Sequence, residues 1–375
     1  MLNRRTLRIK VMQSLFAYEQ CCDANYELAK EFLSDRFSPD LNSMEFQDKP
    51  LLKARQQAAL RLLDERMENK PSADQEEPVV EAVEAALQQY HRRVQADLDF
   101  LKRRTVEEIE ELTDVYHSVL NLIPAFSSVA AADRKADHRA FTGNSVVKAL
   151  STHPELIQLS KHPDAGWDTR MDKVRAWFRD VVRVDEAYQQ YVAATDHTPE
   201  QELTFVRHIL RKVILGDTLI SAHFEEHFIR WGEDREIIRG LAERTLKTTR
   251  SGEPLQLQKL SLDWEDDRFF IETLLERAAR LPVAQRELIA SKTVNWSVER
   301  LPLTDRVIIQ MAIAEFTTQP NVPIKVTINE YIELAKDYST PKSRQFINGI
   351  LDVLSKELRK TGELKKSGRG LIDNK

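Results

Sequence analysis

The sequence contains one string with the residue types of a metal centre. His223-Phe224-Glu225-Glu226-His227 matches the pattern H-x-x-E-H, and histidines four residues apart on a helix share a face from which both imidazoles could bind zinc. Such a site would support metal-assisted hydrolysis. However, the pattern arises easily in a Glu-rich helix, Phe224 and Phe228 indicate ordinary packing, and no third ligand stands out. We therefore predict no metal and no catalytic residue, and keep a zinc hydrolase as an alternative.

A second group of residues could bind an anion. Arg4, Arg5 and Arg8 lie at the start of the first predicted helix, and Arg4 and Arg8 share one face because they are four residues apart. Cations at this end oppose the helix dipole, which costs roughly 0.3–1 kcal/mol per charge unless an anion compensates. The amides of the first turn add donors suited to phosphate. The alternative is a solvated basic N-terminus.

The glycine content excludes several other kinds of chemistry. The 375 residues include only 10 glycines, and neither a G-x-G-x-x-G nor a G-x-x-x-x-G-K-[ST] string is present. Backbone loops that hold phosphates need such glycines. The sequence therefore argues against nucleotide hydrolysis and dinucleotide binding, and the abundance of Glu, Lys, Arg, Ala and Leu favours helices.

Charge and cysteine content narrow the class of protein further. The formal net charge is −5, so any nucleic-acid site must be a local one. Cys21 and Cys22 are adjacent and can form neither a disulfide framework nor a four-ligand zinc site. No apolar run has the length of a membrane span, and we predict a cytoplasmic protein without a membrane partner.

Apolar spacing predicts an all-α protein. Apolar residues form a helical stripe from residue 4 to about residue 19, and those at 79–123 predict a long helix or helix pair ending near Pro124. Residues 125–166 indicate a loop or short helices. Other predicted helices lie near 51–67, 169–194, 199–215, 217–230, 234–248, 266–279 and 284–292.

Three tryptophan-containing strings each precede a predicted helix. They begin at Trp167, Trp231 and Trp296, and the second and third continue to an arginine four residues later. We interpret them as tryptophans that pack before a helix start. A duplicated helical unit is the alternative.

The C-terminal part holds the densest set of signals. Thr304-Asp305-Arg306 opens a helix that Pro320 ends, and Thr340 with Pro341 is typical of another helix start. Within the latter helix, Gly349 indicates close approach of another backbone. From Lys356 onward seven cations face three acids, which predicts a mobile tail that attracts RNA weakly.

These strings resemble one known family. Residues 301–315 (LPLTDRVIIQMAIAE), 321–330 (NVPIKVTINE), 333–336 (ELAK) and 343–352, which include FINGILD, are similar to the C-terminal half of the NusB transcription antitermination factors. At the other end, Arg4-Arg5 and residues 13–18 (QSLFAY) resemble the first helix of that family. Enlarged members with long insertions exist in bacteria.

The resemblance implies a NusB-like helical bundle of two subdomains with a large helical insertion between its first helix and the remainder. Residues 1–35 would hold the first helix and 36–265 the insertion, with long helices near 79–123 and 169–248. Residues 266–358 would form the C-terminal core, and 359–375 a basic flexible tail.

The resemblance also implies a function without cofactors or catalysis. Family members pair with the small-subunit ribosomal protein NusE, and the pair binds boxA-type single-stranded RNA within the RNA polymerase antitermination complex during ribosomal RNA transcription. A homodimer is possible. A helical scaffold or an accessory RNA-binding protein is the alternative.

The residues implied for these roles lie at both ends of the chain. By pattern alone Tyr18 and Phe346 suit the core, and the resemblance makes them candidates for stacking on bases. Compact members usually read Asp-Ser-x-Lys-Phe where this chain reads residues 342–346 as KSRQF, which leaves the individual contacts in doubt. The implied RNA-binding residues are Arg4, Arg5, Arg8, Tyr18, Lys342, Ser343, Arg344, Phe346 and Asn348, and the implied partner-binding residues are Asp305, Arg306 and Glu315.

Overall fold

The computed structural model describes residues 2–42, 44, 46–71, 75–162, 165–194, 196–249, 254–292 and 301–374. No β-strand occurs in these ranges, so the all-α prediction is confirmed. The described ranges contain sixteen α-helices: α1 (Arg4–Arg36), α2 (Lys49–Met67), α3 (Glu77–Ala132), α4 (Arg139–Gly143), α5 (Ser145–Thr152), α6 (Pro154–Ser160), α7 (Met171–Trp177), α8 (Glu186–Ala193), α9 (Pro199–His208), α10 (Thr218–His227), α11 (Trp231–Thr248), α12 (Trp264–Ala279), α13 (Val283–Lys292), α14 (Leu303–Thr318), α15 (Ile324–Tyr338) and α16 (Pro341–Lys360).

The chain divides into two compact units. Unit 1 comprises Met1–Asn3 and Glu107–Trp264, and unit 2 comprises Arg4–Val106 and Glu265–Lys375. Residues 37–106 thus belong to the same unit as α1 and the C-terminal helices. The proposed boundaries of the insertion, at 36 and 265, stay a prediction.

Helix α14 forms the centre of unit 2. It packs against α1, α15 and α16, and its apolar side chains from Val307 to Phe316 are fully buried. A helix that is apolar on all sides must be enclosed by others, which explains its place in the bundle.

The second half of α1 supports a smaller core in the same unit. Leu33, Leu63 and Val83 are buried where the end of α1 meets α2 and the start of α3. Helices α1 and α3 are further connected by a hydrogen bond between the hydroxyls of Ser14 and Thr105, whose oxygen atoms are 2.6 Å apart. The first helix therefore extends well beyond residue 19, where the apolar stripe was expected to end.

Unit 1 combines the second part of α3 with α4–α11. Two of its helices end in π-helical segments, Phe178–Val182 after α7 and Ile209–Ile214 after α9. Each segment is followed by an aspartate that caps the next helix: Asp185 accepts from the Tyr188 amide at 2.8 Å, and Asp217 from the Leu219 amide at 2.9 Å. The prediction of one helix over 169–194 was wrong for this reason.

The prediction that the long helix ends near Pro124 was also wrong. Helix α3 continues through that proline to Ala132. An interior proline removes one helical hydrogen bond at a cost of about 3 kcal/mol. Leu122, Ile123 and Phe126 are all fully buried beside it, and burying such side chains contributes about 1.5–3 kcal/mol each.

Helix α3 is long and apolar enough, by length and composition, to cross a membrane, but 67% of its most apolar window is buried inside the protein. A core helix of a soluble protein passes the same test. This feature is therefore weak evidence for a membrane span.

Candidate nucleic-acid interface

Arg8 lies at the centre of a buried polar network in unit 2. Its Nε and Nη2 each donate to a carboxylate oxygen of Glu315 at 2.7 Å. The Arg8 side chain is 3% exposed and the Glu315 side chain 0%. The paired groups therefore depend on each other, because an isolated buried charge would be very costly.

Two hydroxyl groups complete the network around Glu315. Thr327 Oγ1 and Tyr331 Oη each donate to this carboxylate at 3.0 Å. Desolvation lowers the pKa of Arg8, but the hydrogen bonds and the charge of Glu315 outweigh it, so the net shift is upward. Burial raises the pKa of Tyr331 well above its ordinary value. The network thus holds α1, α14 and α15 together.

Arg4 and Arg5, by contrast, lie at the surface. Arg4 pairs with Asp266 and lies 4.4 Å from the centre of the Phe270 ring. Arg5 donates from Nε and Nη2 to the two oxygens of Glu330 at 3.0 and 2.9 Å. These bonds lower the pKa of Glu330 and raise that of Arg5. The three arginines of the first turn therefore differ in environment, and only Arg4 and Arg5 are open to solvent.

A cleft of about 950 Å³ lies beside Arg5. Helix α15 forms one wall and the first two turns of α16 form the other. The residues that line it are Arg5, Asn329, Ile332, Glu333, Lys336, Pro341, Arg344, Gln345 and Asn348. Arg5, Arg344 and Asn348 were predicted as RNA-binding residues, and the structure brings them together here.

The start of α16, beside the cleft, is basic. Lys342 and Arg344 are exposed on the first turn of α16, and neither forms an ion pair with any residue that the structure describes. Lys336 pairs only loosely with Glu333, at 3.7 Å. Because the amides of the first helical turn add partial positive charge, this edge of unit 2 suits an anion.

The remaining predicted RNA-binding residues differ in accessibility. Tyr18 is 7% exposed, and burial, followed by the neighbouring Cys22, raises the pKa of its phenol. Ser343 is also buried, and its amide donates to the Thr340 hydroxyl at 3.2 Å in the helix cap. Phe346 is half-buried. Of the two predicted stacking residues, Phe346 is thus the more accessible.

The three predicted partner-binding residues engage other parts of unit 2. Asp305 is 1% exposed and accepts a hydrogen bond from Ser339. Arg306 donates to Glu19 at 3.0 Å, and Glu315 belongs to the buried network. Contacts within the chain account for all three, and their role toward a partner stays a prediction.

Sequence reasoning missed several residues of the cleft, including Asn329, Glu333 and Lys336. A signal was present, because positions 329, 333 and 336 share one face of a helix at spacings of four and three residues. All three lie in the strings on which the family resemblance rests, and those strings served only to recognise the family.

The zinc-like string lies in unit 1, on α10. Ligand atoms of His223, Glu226 and His227 lie within 4.8 Å of one another. Two cations flank this group: Lys173 Nζ is 3.2 Å from His223 Nδ1, and Arg170 Nη1 is 3.5 Å from His223 Nε2.

These cations oppose metal binding. A divalent ion about 4 Å from one positive charge is repelled by roughly 8 kcal/mol at an effective dielectric constant of about 20. Burial, then the charges of His227, Lys173 and Arg170, lower the pKa of His223 to about 4, so the ring is neutral at pH 7. The donor set is thus a poor fit to zinc, and His223 packs against the rings of both Trp167 and Trp177 as a core residue.

Comparison with known proteins shows which family the helices around the cleft are similar to. The model of the NusB family matches residues 238–356, from α11 to α16. The protein named transcription antitermination protein NusB of Dictyoglomus turgidum is 35% identical over 120 residues, which are 31% of this chain and 81% of that protein. The chain belongs to the NusB family.

Two further NusB relatives carry the same name. That of Chloroherpeton thalassium is 49% identical over 85 residues, or 23% of this chain and 40% of that protein. That of Salinibacter ruber is 39% identical over 105 residues, or 28% of this chain and 66% of that protein. The chain thus spans about two fifths of the first relative and about two thirds of the second. No solved structure matches it.

Proposed function

We propose that this protein is a non-catalytic, RNA-binding transcription antitermination factor of the cytoplasm. The observation that carries the proposal is the basic cleft between α15 and α16, whose lining residues on these two helices lie within the part of the chain that matches the NusB family. All three relatives compared above are named for transcription antitermination.

The cleft suits a single strand of RNA. Within the cleft, Arg344 offers an exposed cation for a phosphate and Asn348 offers an amide for a base edge. Lys342 and the half-buried Phe346 lie on the same turns of α16 outside the cleft lining, where they add a second cation and part of a ring for stacking. Single strands are bound by this combination of phosphate contacts and aromatic faces. Arg8 and Glu315 act beneath the surface, where they fix α1 against α15 and so position Arg5.

The proposed ligand is boxA-type single-stranded RNA, bound together with the ribosomal protein NusE during ribosomal RNA transcription. A partner that completes the RNA site would explain why the start of α16 presents only two cations, Lys342 and Arg344, without an ion pair to a described residue. The surface that meets NusE would include Arg306, which is the most exposed of the three residues predicted for it.

Fluorescence anisotropy with labelled boxA-type RNA tests the proposal. Reversing both charges in Lys342→Glu/Arg344→Glu should remove two phosphate contacts and flatten the plot of log K against log salt by about 1.4, since each single-strand contact contributes about 0.7. At about 0.15 M salt the affinity should fall at least about 15-fold relative to the wild type, because each lost contact is worth roughly 0.6 log unit there and the new negative charges repel the phosphates.

The matched control is Lys53→Glu/Lys148→Glu. It makes the same change in net charge at two exposed lysines on α2 and α5 and should leave the slope unchanged. Equal losses of RNA affinity in both double variants would show that the binding is only nonspecific electrostatic attraction. Adding NusE should tighten binding by the wild type, and indifference to NusE would remove the partner from the proposal.

A further inference from the structure

The C-terminal segment after α16 lies against the loop that joins α14 to α15. The Ser367 amide donates to the Pro320 carbonyl at 3.0 Å, and Lys366 Nζ donates to the Gln319 carbonyl at 2.9 Å. The Ser367 hydroxyl bonds to Asn321 Oδ1 at 3.2 Å. Leu364 is 5% exposed and anchors the start of the segment. The segment therefore has a defined seat on unit 2.

Two glycines make this seat possible. A Cβ atom on Gly370 would lie 2.0 Å from the Pro320 carbonyl oxygen, closer than any side chain can approach. Gly368 has a φ of +50°, a conformation that glycine adopts without the cost paid by other residues. The backbone of the segment thus fits the 319–321 loop only because both positions lack a side chain.

The docked segment is strongly basic. Between Leu364 and Ile372 it contains three cations and no acid. Lys366 is used in docking, whereas Lys365 and Arg369 are exposed and form no ion pair with a residue that the structure describes. Two cations therefore face solvent from a backbone that is held in place.

The loop that holds this segment leads directly into α15, which lines the RNA cleft. Asn329, the first cleft residue on α15, lies five residues after Ile324, where that helix begins, which is roughly 7.5 Å along the helix axis at 1.5 Å per residue. A few successive phosphates of one strand can span such a distance. The segment is thus close enough to act on the same strand.

We propose that the docked C-terminal segment extends the RNA-binding surface, with Lys365 and Arg369 contacting phosphates of the strand that occupies the cleft. This inference rests on the proposed function. It differs from the expectation of a mobile basic tail, because a mobile tail contributes its charge wherever it moves, whereas a docked segment contributes only from its seat.

Two variants separate these possibilities by anisotropy with boxA-type RNA. Lys365→Gln/Arg369→Gln removes the exposed charges and should weaken binding about 15-fold at about 0.15 M salt, with a slope flatter by about 1.4. Gly370→Ala keeps every charge but displaces the segment, and should weaken binding in the same direction. Gly232→Ala is the matched control, because nothing lies within 4 Å of its added Cβ.

Hydrogen exchange of residues 361–372 shows whether Gly370→Ala releases the segment. Release with unchanged RNA affinity would overturn the proposal in favour of a mobile basic tail. Should the segment stay docked in that variant, deletion of residues 365–375 replaces it, and normal affinity after deletion would also overturn the proposal.

The variant Lys342→Glu/Arg344→Glu distinguishes a failure of this inference from a failure of the proposed function. If it loses RNA binding while the tail variants keep it, the proposed function stands and the inference fails. If neither affects RNA, both fail. If the tail variants lose the binding of an acidic protein partner and keep that of RNA, the segment is a protein-docking surface and the inference fails.

Discussion

The buried pair of Arg8 and Glu315 makes the sharpest prediction about unit 2. Arg8→Met keeps much of the side-chain volume but leaves the Glu315 carboxylate with only two hydroxyl donors and no cation at bonding distance. Breaking one side of a buried ion pair costs about 3–5 kcal/mol. Because both side chains are at most 3% exposed and both bonds are 2.7 Å, we expect about 4 kcal/mol.

Arg5→Met is the matched control, one turn away on the same helix. Arg5 also forms a bidentate pair, but its side chain is 43% exposed and that of Glu330 is 21% exposed. Exposed pairs contribute about 0–1 kcal/mol. The same substitution should therefore cost at least 2 kcal/mol less at residue 5 than at residue 8.

A double variant isolates the pair itself. Arg8→Met/Glu315→Met removes both charges and leaves the hydroxyls of Thr327 and Tyr331 without their acceptor, at about 1–3 kcal/mol each. The double variant no longer has to desolvate two charges on folding, and this gain of about 1–4 kcal/mol offsets part of the cost of the unpaired hydroxyls. We expect the double variant to be more stable than Arg8→Met alone, with a coupling energy of at least about 2 kcal/mol.

Urea unfolding followed by far-UV circular dichroism gives the free energies, and urea is preferred because guanidinium would screen the charges. Two compact units need not unfold together, so hydrogen exchange of peptides from α1, α14 and α15 should report unit 2 separately. Equal costs for Arg8→Met and Arg5→Met would refute the reasoning. So would an Arg8→Met variant of normal stability that loses RNA affinity, because Arg8 would then contact the ligand.

Other predictions concern unit 1 and can be checked by urea unfolding followed by tryptophan fluorescence. Burial and cationic neighbours lower the pKa of His223 from 6.5 to about 4, so the unfolded state binds the proton first on acidification. The free energy of unfolding should therefore fall by about 2 kcal/mol as the pH drops from 7 to 5. His223→Gln should flatten this dependence, and an unchanged slope would assign it to other groups. Gly166→Ala should cost at least 2 kcal/mol, because its Cβ would lie 1.7 Å from the Ser160 carbonyl oxygen. Gly232→Ala should be neutral or stabilising by up to about 1 kcal/mol, and equal effects of the two alanines would contradict the close approach at Gly166.

The elements that could be predicted were those marked by local chemistry. Thr340 accepts from the Ser343 amide at the start of α16, and Thr198 forms a capping box with Gln201 at the start of α9. Both starts follow from a threonine and a proline adjacent in the sequence. Helix ends were harder, because burial rather than a local residue decided whether α3 continued past Pro124.

The candidate site was predicted less well than the fold. Arg4, Arg5 and Arg8 look alike in the sequence, and their spacing does not show which one is buried. The partner of Arg8 is 307 residues away, so only the packing of α1 against α14 and α15 separates a structural arginine from an accessible one. Asp305 also looked like a surface residue, and a serine at the end of α15 covers it.

The buried positions near the tryptophan strings bear on whether these strings mark a repeated helical unit. The third string lies outside the described residues, so it cannot be compared directly. However, α9–α10 and α12–α13 bury side chains at positions 65 residues apart, the same separation as Trp231 and Trp296. The matched buried pairs are Phe205 and Phe270, Val206 and Ile271, Ile209 and Leu274, Leu210 and Leu275, Val213 and Ala278, Ile220 and Gln285, and Phe224 and Ile289.

A shared helical period explains matches within one helix, but it does not explain why the register persists across a helix break. In unit 1 the break contains the capping Asp217, and in unit 2 the equivalent position is Pro282; past the break, two of the four buried positions of α10, Ile220 and Phe224, keep the same offset. These matches are the argument for a duplicated helical unit, which stays the alternative to tryptophans that pack before a helix start. At that offset, His223 and His227 correspond to Leu288 and Lys292 of α13, which indicates that the zinc-like string occupies ordinary positions of a repeated helix.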